Sequence, residues 1–309
     1  MTFSGSASFV VPNGAVVLSD PLDFSVAAES ILSVSVYLRS GQTTNSITSH
    51  PGSRTTSWFV SGNAVGEAEL AGAASADHWY FLSAVEGVSG AEHKGTIAIV
   101  GDSITDGRGS TTNGNNRWPD RLLARLQNDT ATSSIAILNQ AAGGNRILAD
   151  GLGPNALGRI DRDVLSHSGV RWAIIYIGVN DIGTAASTTS AQTTVGDRII
   201  QAYIQMAARI RRHGIAVIGA TITPMTGPGQ SYGTPEREAT RQRVNEWIRS
   251  SGEFDAVVDF DEVVRDPEQQ DRLLPAYDTG DYLHLNPAGY EAMGAAVDLG
   301  LFAEAKKCK

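Results

Sequence analysis

The sequence predicts an α/β protein in which a mostly parallel sheet lies between layers of helices, preceded by a smaller all-β region. Three observations predict it. Short, near-continuous apolar runs at 97–100, 135–140, 172–177, 215–222 and 256–260 read as strands buried on both faces. Segments with helical periodicity lie between those runs, the alternation that builds a three-layer α/β/α domain with five strands. Residues 1–93 differ: apolar residues alternate with polar ones at period two, and Gly, Ser, Asn and Pro break the runs.

In the first region, Leu32-Ser-Val34-Ser-Val36-Tyr-Leu38 places its four apolar side chains on one face of a half-buried strand, ended by Arg39-Ser-Gly41. Runs at 14–18, 56–60 and 78–85 extend the pattern. A small antiparallel β-sandwich, jelly-roll-like, is expected over 1–93. His50, His78 and His93 share no metal-ligand spacing and read as packed or exposed histidines. After Gly90-Ala-Glu-His-Lys-Gly95 the pattern changes, and 94–309 is expected to form the α/β/α domain.

In that second region the strand at 97–100 is broken by Gly101-Asp102, and Ser103 follows at once. A hydroxyl just past the carboxyl end of a central strand sits where open α/β sheets bind ligands. Val195, Ile199, Tyr203, Ala207 and Ile210 recur at helical spacing, closed by Arg209, Arg211, Arg212, His213 and then Gly214. Thr234-Pro-Glu opens a helix through Trp247 and Ile248. Asn286-Pro287 opens the last, with Tyr290, Met293, Val297 and Leu301 expected on one face.

Composition narrows the function. Hydrophobic residues make up 41% and charged residues 18%, and no apolar run approaches a membrane span. The net charge of −9, without a basic cluster, argues against nucleic acid as the main partner, because phosphate neutralisation needs grouped Lys and Arg. The lone Cys308 builds neither a disulfide nor a cysteine metal site within one chain. Residues 1–6 lack the charged start and apolar block of a secretory signal, which is expected of an intracellular protein or of one whose leader was removed. The sequon Asn128-Asp-Thr130 and the many Ser, Thr, Asn and Gly residues lean towards secretion. No Gly-Lys-Ser/Thr phosphate loop, His-Glu-x-x-His or calcium loop occurs. Gly151-Leu-Gly-Pro-Asn-Ala156 matches a dinucleotide fingerprint only formally, since no strand directly precedes it and Pro154 interrupts it. No cofactor and no metal are expected. The oligomeric state is not encoded in any feature of the sequence.

Four stretches fall at the expected strand tips: Gly101-Asp102-Ser103 with Asp106-Gly107, Asn139 to Arg146 with Gly143-Gly144, Gly178-Val-Asn180-Asp181, and Asp281-Tyr-Leu-His284 before the final helix. In order and spacing, over residues 96–305, these resemble the blocks of the SGNH, or GDSL, hydrolases. Asn116-Arg-Trp-Pro-Asp120, Gly144-Asn-Arg146, Asp150-Gly-Leu-Gly-Pro154 and Arg159-x-Asp-Arg-Asp163 are similar to a subfamily of arylesterase- or acetylesterase-like proteins associated with xylan degradation. The resemblance implies a flavodoxin-like fold and a serine carboxylic-ester hydrolase acting on small acyl esters of plant-wall carbohydrate.

The chemistry assigns the roles. Ester cleavage needs an oxygen nucleophile, a base, a group that orients the base, and donors for the oxyanion. Ser103 supplies the hydroxyl, His284 the base, and Asp281 the partner for the second ring nitrogen. The expected donors are the backbone N–H of Ser103, the backbone N–H of Gly144 and the side-chain amide of Asn180. Taken singly, each has a plainer reading: a turn glycine at Gly144, a helix cap at Asn180, a surface ion pair at Asp281, a structural histidine at His284. Asp102, Asp106 and Asp181 read as braces of turns and helix starts. Arg146 either faces the acyl or sugar group or binds a carboxylate of the scaffold. Two other functions compete: a lipase or thioesterase, which would call for a broad apolar surface or lid, and a carbohydrate-binding protein whose α/β part is inert.

Overall fold

The structure, a computed structural model, describes residues 1–12, 14–88 and 93–303. Cys308 and residues 89–92 of the expected boundary lie outside the described residues. In the N-terminal region β1 (Ser49–His50) pairs antiparallel with β4 (Trp79–Tyr80), and β2 (Ser57–Phe59) with β3 (Ala74–Ala76). Where a sandwich is expected, two small two-stranded sheets are present. The expected strands at 14–18 and 32–38 acquire no partner among the described residues, and Leu32, Val34, Val36 and Leu38 stay 39–57% exposed. Alternation selects one face of a strand but does not supply the neighbour that the face and the backbone need.

The main sheet has five parallel strands, β5 (Gly95–Gly101), β6 (Ile135–Asn139), β7 (Val170–Tyr176), β8 (Ala216–Ala220) and β9 (Ala256–Val258), in the order β6-β5-β7-β8-β9. Ile97 lies beside Ile137 on one side and Trp172 on the other. All five expected strands are present, each within a few residues of its expected ends. This is the doubly wound order in which the direction of winding reverses between the first and third strands, here β5 and β7. Ser103 follows β5 directly and therefore stands at that crevice.

Helices α1 (Ser103–Asp106), α2 (Trp118–Gln127), α3 (Ala156–Ile160, continued by a π turn), α4 (Val179–Thr184), α5 (Thr189–Arg211), α6 (Pro235–Ser250), α7 (Phe260–Val264), α8 (Pro287–Ala296) and α9 (Gly300–Ala303) connect and follow the strands. Two groups pack together, α2 with α8 and α7, and α5 with α3, α4 and α6. Each group carries an aromatic cluster. Trp118, Tyr176 and Phe260 meet edge to face at 5.0–6.5 Å; Tyr203 stacks on Trp247 at 6.1 Å, and Phe254 meets both edge to face at 6.0 and 5.9 Å. The residues chosen by helical spacing on α5 are all buried. Thr234 caps α6 as expected, accepting the Arg237 N–H at 3.4 Å.

The last expected helix is shorter than its periodicity suggested. Val297 turns extended at φ −72, ψ 120, so Leu301 belongs to the separate turn α9. Arg125 explains the stop, because its guanidinium donates to the carbonyls of Gly294 and Val297 at 2.6 and 2.7 Å and satisfies the helix end. No helix among the described residues is long and apolar enough to cross a membrane.

Candidate active site

The sharp exit from β5 is written in small residues. A Cβ at Gly101 would lie 2.6 Å from the Thr105 side chain, so only glycine lets α1 start directly behind the strand. Asp102 caps that helix by accepting the Ile104 N–H at 3.1 Å, and Gly107 closes it in the left-handed region at φ 98. Ser103 is thereby held at the first helical position, 8% exposed.

Its partner arrives from the far end of the chain. Ser103 Oγ donates to His284 Nε2 at 2.8 Å, and His284 Nδ1–H donates to Asp281 Oδ2 at 2.6 Å. The loop that brings them has its own construction. Asp278 Oδ1 accepts the N–H groups of Gly280 and Tyr282 at 2.9 and 3.0 Å, holding Tyr282 at the left-handed φ of 59. Asp281 Oδ1 then accepts the N–H groups of Leu283 and His284 at 3.0 and 2.8 Å. These bonds fold the carboxylate back over the imidazole three residues on.

Burial of Asp281 by itself raises its pKa, but the backbone N–H and ring of His284 outweigh it and hold the carboxyl below its ordinary value of 3.8. His284 moves the other way from most ion-paired histidines. Burial disfavours its charged form, the nearby cations Arg108 and Arg54 add to that, and together they outweigh Asp281, so its pKa lies below 6.5. The imidazole is therefore neutral at neutral pH, able to take a proton.

Gly144 lies in the loop after β6, and Asn180 in α4 after β7. Gly144 has φ 72, and a Cβ there would stand 2.4 Å from Leu152 Cδ1. Asn180, 6% exposed, donates from Nδ2 to the Asn145 carbonyl at 3.0 Å and accepts the Tyr232 hydroxyl at Oδ1 at 3.2 Å, which fixes its amide and leaves one N–H of Nδ2 for a ligand. The N–H groups of Ser103 and Gly144 have no acceptor among the described residues. The loop after β6 is joined to the Ser103 loop by Ala142 N–H to the Gly101 carbonyl at 3.1 Å. Ser103, His284 and Asp281 are thus in one hydrogen-bonded line, with Gly144 and Asn180 joined to each other through Asn145.

The other acidic residues have structural partners. Asp181 accepts the N–H groups of Ile147 and Leu148 at 2.8 and 2.9 Å. Asp106 accepts the Gly143 N–H at 2.8 Å. Asp102, fully enclosed, has its pKa raised to about 7 by burial, with Asp181 and Asp106 adding to the effect. Arg146 donates to the Asp150 carbonyl, a scaffold partner.

Several residues escaped sequence reasoning. Arg159, visible only as part of a string, is 5% exposed and donates to Asn145 Oδ1 at 3.1 Å, the Gln140 carbonyl at 2.5 Å, Asp163 Oδ2 at 2.5 Å and the Gly101 carbonyl at 3.2 Å, binding two strand-tip loops together. Tyr232 lies in a loop after β8, where Gln230 Nε2 donates to the Asp281 carbonyl at 2.6 Å. The turn signal Thr226-Gly-Pro-Gly229 at a fourth strand tip marks that loop in the sequence. His50, among the three unassigned histidines, donates to Asp106 Oδ1 at 2.7 Å. His78 stacks on Tyr80 and His93 Nδ1 donates to the Ser134 carbonyl. Among the described residues no three His, Cys, Asp or Glu side chains converge as a metal site.

The chain is similar in fold to a catalytic mutant of Axe2, an acetylxylan esterase from Geobacillus stearothermophilus (20% identity over 66% of this chain and 92% of that one, TM-score 0.50). It also matches a GDSL-like lipase from Bacteroides thetaiotaomicron VPI-5482 (20% identity, 66% and 85% coverage, TM-score 0.46). No curated protein matches. The model of the GDSL-like Lipase/Acylhydrolase family matches residues 99–292, from the middle of β5 into α8 and through every strand tip described above. With more than half of its length matched, the chain belongs to the GDSL-like lipase/acylhydrolase family.

Proposed function

We propose that this protein is a serine carboxylic-ester hydrolase that cleaves small acyl esters, acetyl or aryl, on plant cell-wall carbohydrate, by way of an acyl-enzyme. The observation that carries the reading is the continuous line from Ser103 Oγ through His284 to Asp281, at 2.8 and 2.6 Å. Neutral His284 takes the Ser103 proton at Nε2 as Oγ adds to the ester carbonyl carbon. The imidazolium so formed is stabilised by Asp281, which stays ionised. The oxyanion is held by the N–H groups of Ser103 and Gly144 and by Asn180 Nδ2. Collapse of the tetrahedral intermediate breaks the bond to the leaving alcohol, which takes the proton from His284. Water then repeats the sequence on the acyl-enzyme and frees Ser103.

The short acyl group is supported by crowding, since Leu152 lies against Gly144 and Tyr232 against Asn180. The carbohydrate part rests on the strings at 116–120, 144–146, 150–154 and 159–163. The test is kcat/KM on p-nitrophenyl acetate, on esters of graded chain length and on acetylated xylan. Ser103→Ala and His284→Ala are expected to lose about 10⁴-fold or more, approaching background, with the fold intact. Activity well above background in either would overturn the assignment, and a preference for long acyl chains would overturn the substrate class.

The acid limb of the pH profile checks the base. Because only neutral His284 accepts the proton, kcat/KM rises with pH through the pKa of the free enzyme's histidine. Burial and the cations Arg108 and Arg54 lower that pKa, so the rise is expected below 6.5.

A further inference from the structure

His50 sits in β1 opposite Trp79, its ring tilted on the indole with centroids 5.4 Å apart. From there Nε2–H donates to Asp106 Oδ1 at 2.7 Å. Asp106 ends the helix that Ser103 begins, and it is 5% exposed. Its second oxygen, Oδ2, accepts the Gly143 N–H at 2.8 Å, one peptide before the proposed oxyanion donor Gly144. A buried carboxylate needs donors on both oxygens. Here one donor comes from the catalytic loop and the other from the N-terminal region.

The surroundings show that this approach is built in. A Cβ at Gly52 would lie 1.9 Å from Asp106 Oδ2, so only glycine lets the segment come this close. Arg117, 8% exposed, donates to the Asp106 carbonyl at 3.0 Å and also to the Ser53 carbonyl, clamping α1 and the segment together. The Asn113 N–H adds a bond to the Arg54 carbonyl at 2.9 Å, and Asn113 Oδ1 accepts the Thr56 N–H at 2.9 Å.

We infer that His50 is a positioning residue for the oxyanion side of the site. By holding one oxygen of Asp106 it fixes the other, and with it the Gly143–Gly144 peptide, so that the Gly144 N–H is aimed before the substrate arrives. The inference rests on the proposed role of Gly144 as a donor. Such donors accelerate reaction only when preorganised, so loosening the peptide lowers turnover more than binding. It follows that residues 50–54 belong to the catalytic unit, although they precede the first strand of the main sheet.

Two variants separate the hydrogen bond from the packing. His50→Gln keeps a donor but loses the ring, and His50→Phe keeps the ring on Trp79 but loses the donor. With p-nitrophenyl acetate, His50→Phe is expected to lower kcat about tenfold with KM unchanged, short of the ~10²–10³ that follows loss of an oxyanion donor. His50→Gln is expected to stay close to the parent. Equal kcat in both variants, or a kcat that follows the ring rather than the donor, would overturn the relay. Measuring Ser103→Ala alongside separates the two levels: a fully active Ser103→Ala would overturn the catalytic reading and the relay with it. An inactive Ser103→Ala together with a kcat indifferent to residue 50 would overturn the relay alone.

Discussion

Ile97, Ile99 and Ile174 are fully buried between two layers of helices, whereas Leu32, Val34, Val36 and Leu38, patterned just as regularly, remain 39–57% exposed. The difference lies in what each pattern demands. A run that is apolar on both faces is satisfied only inside a covered parallel sheet, and the alternating helices supply the cover. Period-two alternation asks for one face to be covered and for a strand on either side, and in residues 1–88 the pairs that form, β1 with β4 and β2 with β3, are two or three residues long. Stability therefore concentrates in the α/β region, and so does charge. Arg241 and Asp261 are both fully buried, 2.5 Å apart, with Arg249 Nη2 on the second carboxylate oxygen at 2.7 Å.

That contrast predicts a graded response. Asp261→Ala takes from the buried Arg241 one of its two carboxylate partners, leaving Glu238 at 2.7 Å, removes the shared partner of Arg249 and Arg265, and is expected to cost about 3–5 kcal/mol in denaturant unfolding. A loss under about 1 kcal/mol would mean that the α/β region does not depend on the buried pair. Asn180→Ala removes one proposed oxyanion donor and is expected to lower kcat by about 10²–10³, equivalent to roughly 2.7–4 kcal/mol, with little change in unfolding. If its effect fell on KM alone, Asn180 would be a binding residue and not an oxyanion donor.

Asp102 sharpens the contrast through pH. Its folded pKa is raised to about 7 from 3.8, so between those values the folded protein keeps a proton that the unfolded chain has released. Stability from this group is complete below about pH 4 and declines as pH rises towards 7. Asp102→Asn removes the dependence, and relative to the parent it should gain on the order of 1–3 kcal/mol between pH 4 and pH 8. Unfolding curves at the two pH values decide it; an unchanged difference would mean that the carboxyl is ionised throughout. Smallest of all, Val34→Ala is expected to change stability by less than about 0.5 kcal/mol, as an exposed substitution should. A loss of 2 kcal/mol or more there, the ~2–5 kcal/mol scale of core truncations, would show that residues 32–38 are packed after all.

The same division governs how far the molecule was legible in its sequence. The five strands, the face of α5 and the caps at Thr234 and Asn286 follow from local residue patterns, because each element's partners are implied by its own composition. Ser103, Gly144, Asn180, Asp281 and His284 were legible as motifs at strand tips. Arg159, Tyr232 and His50 were not. Their partners are distant in sequence, and a guanidinium that holds three carbonyls, or an imidazole that holds a carboxylate from another region, leaves no periodicity to read. The early stop of α8 has the same cause, since the cap comes from Arg125 on another helix.

The central claim is that Ser103 is a nucleophile made reactive by His284. Incubation with a fluorophosphonate, followed by peptide mapping, tests it most directly. A single covalent adduct on Ser103, formed quickly in the parent and far more slowly in His284→Ala, is the predicted result. An adduct on another residue, or a rate unaffected by His284→Ala, would contradict it.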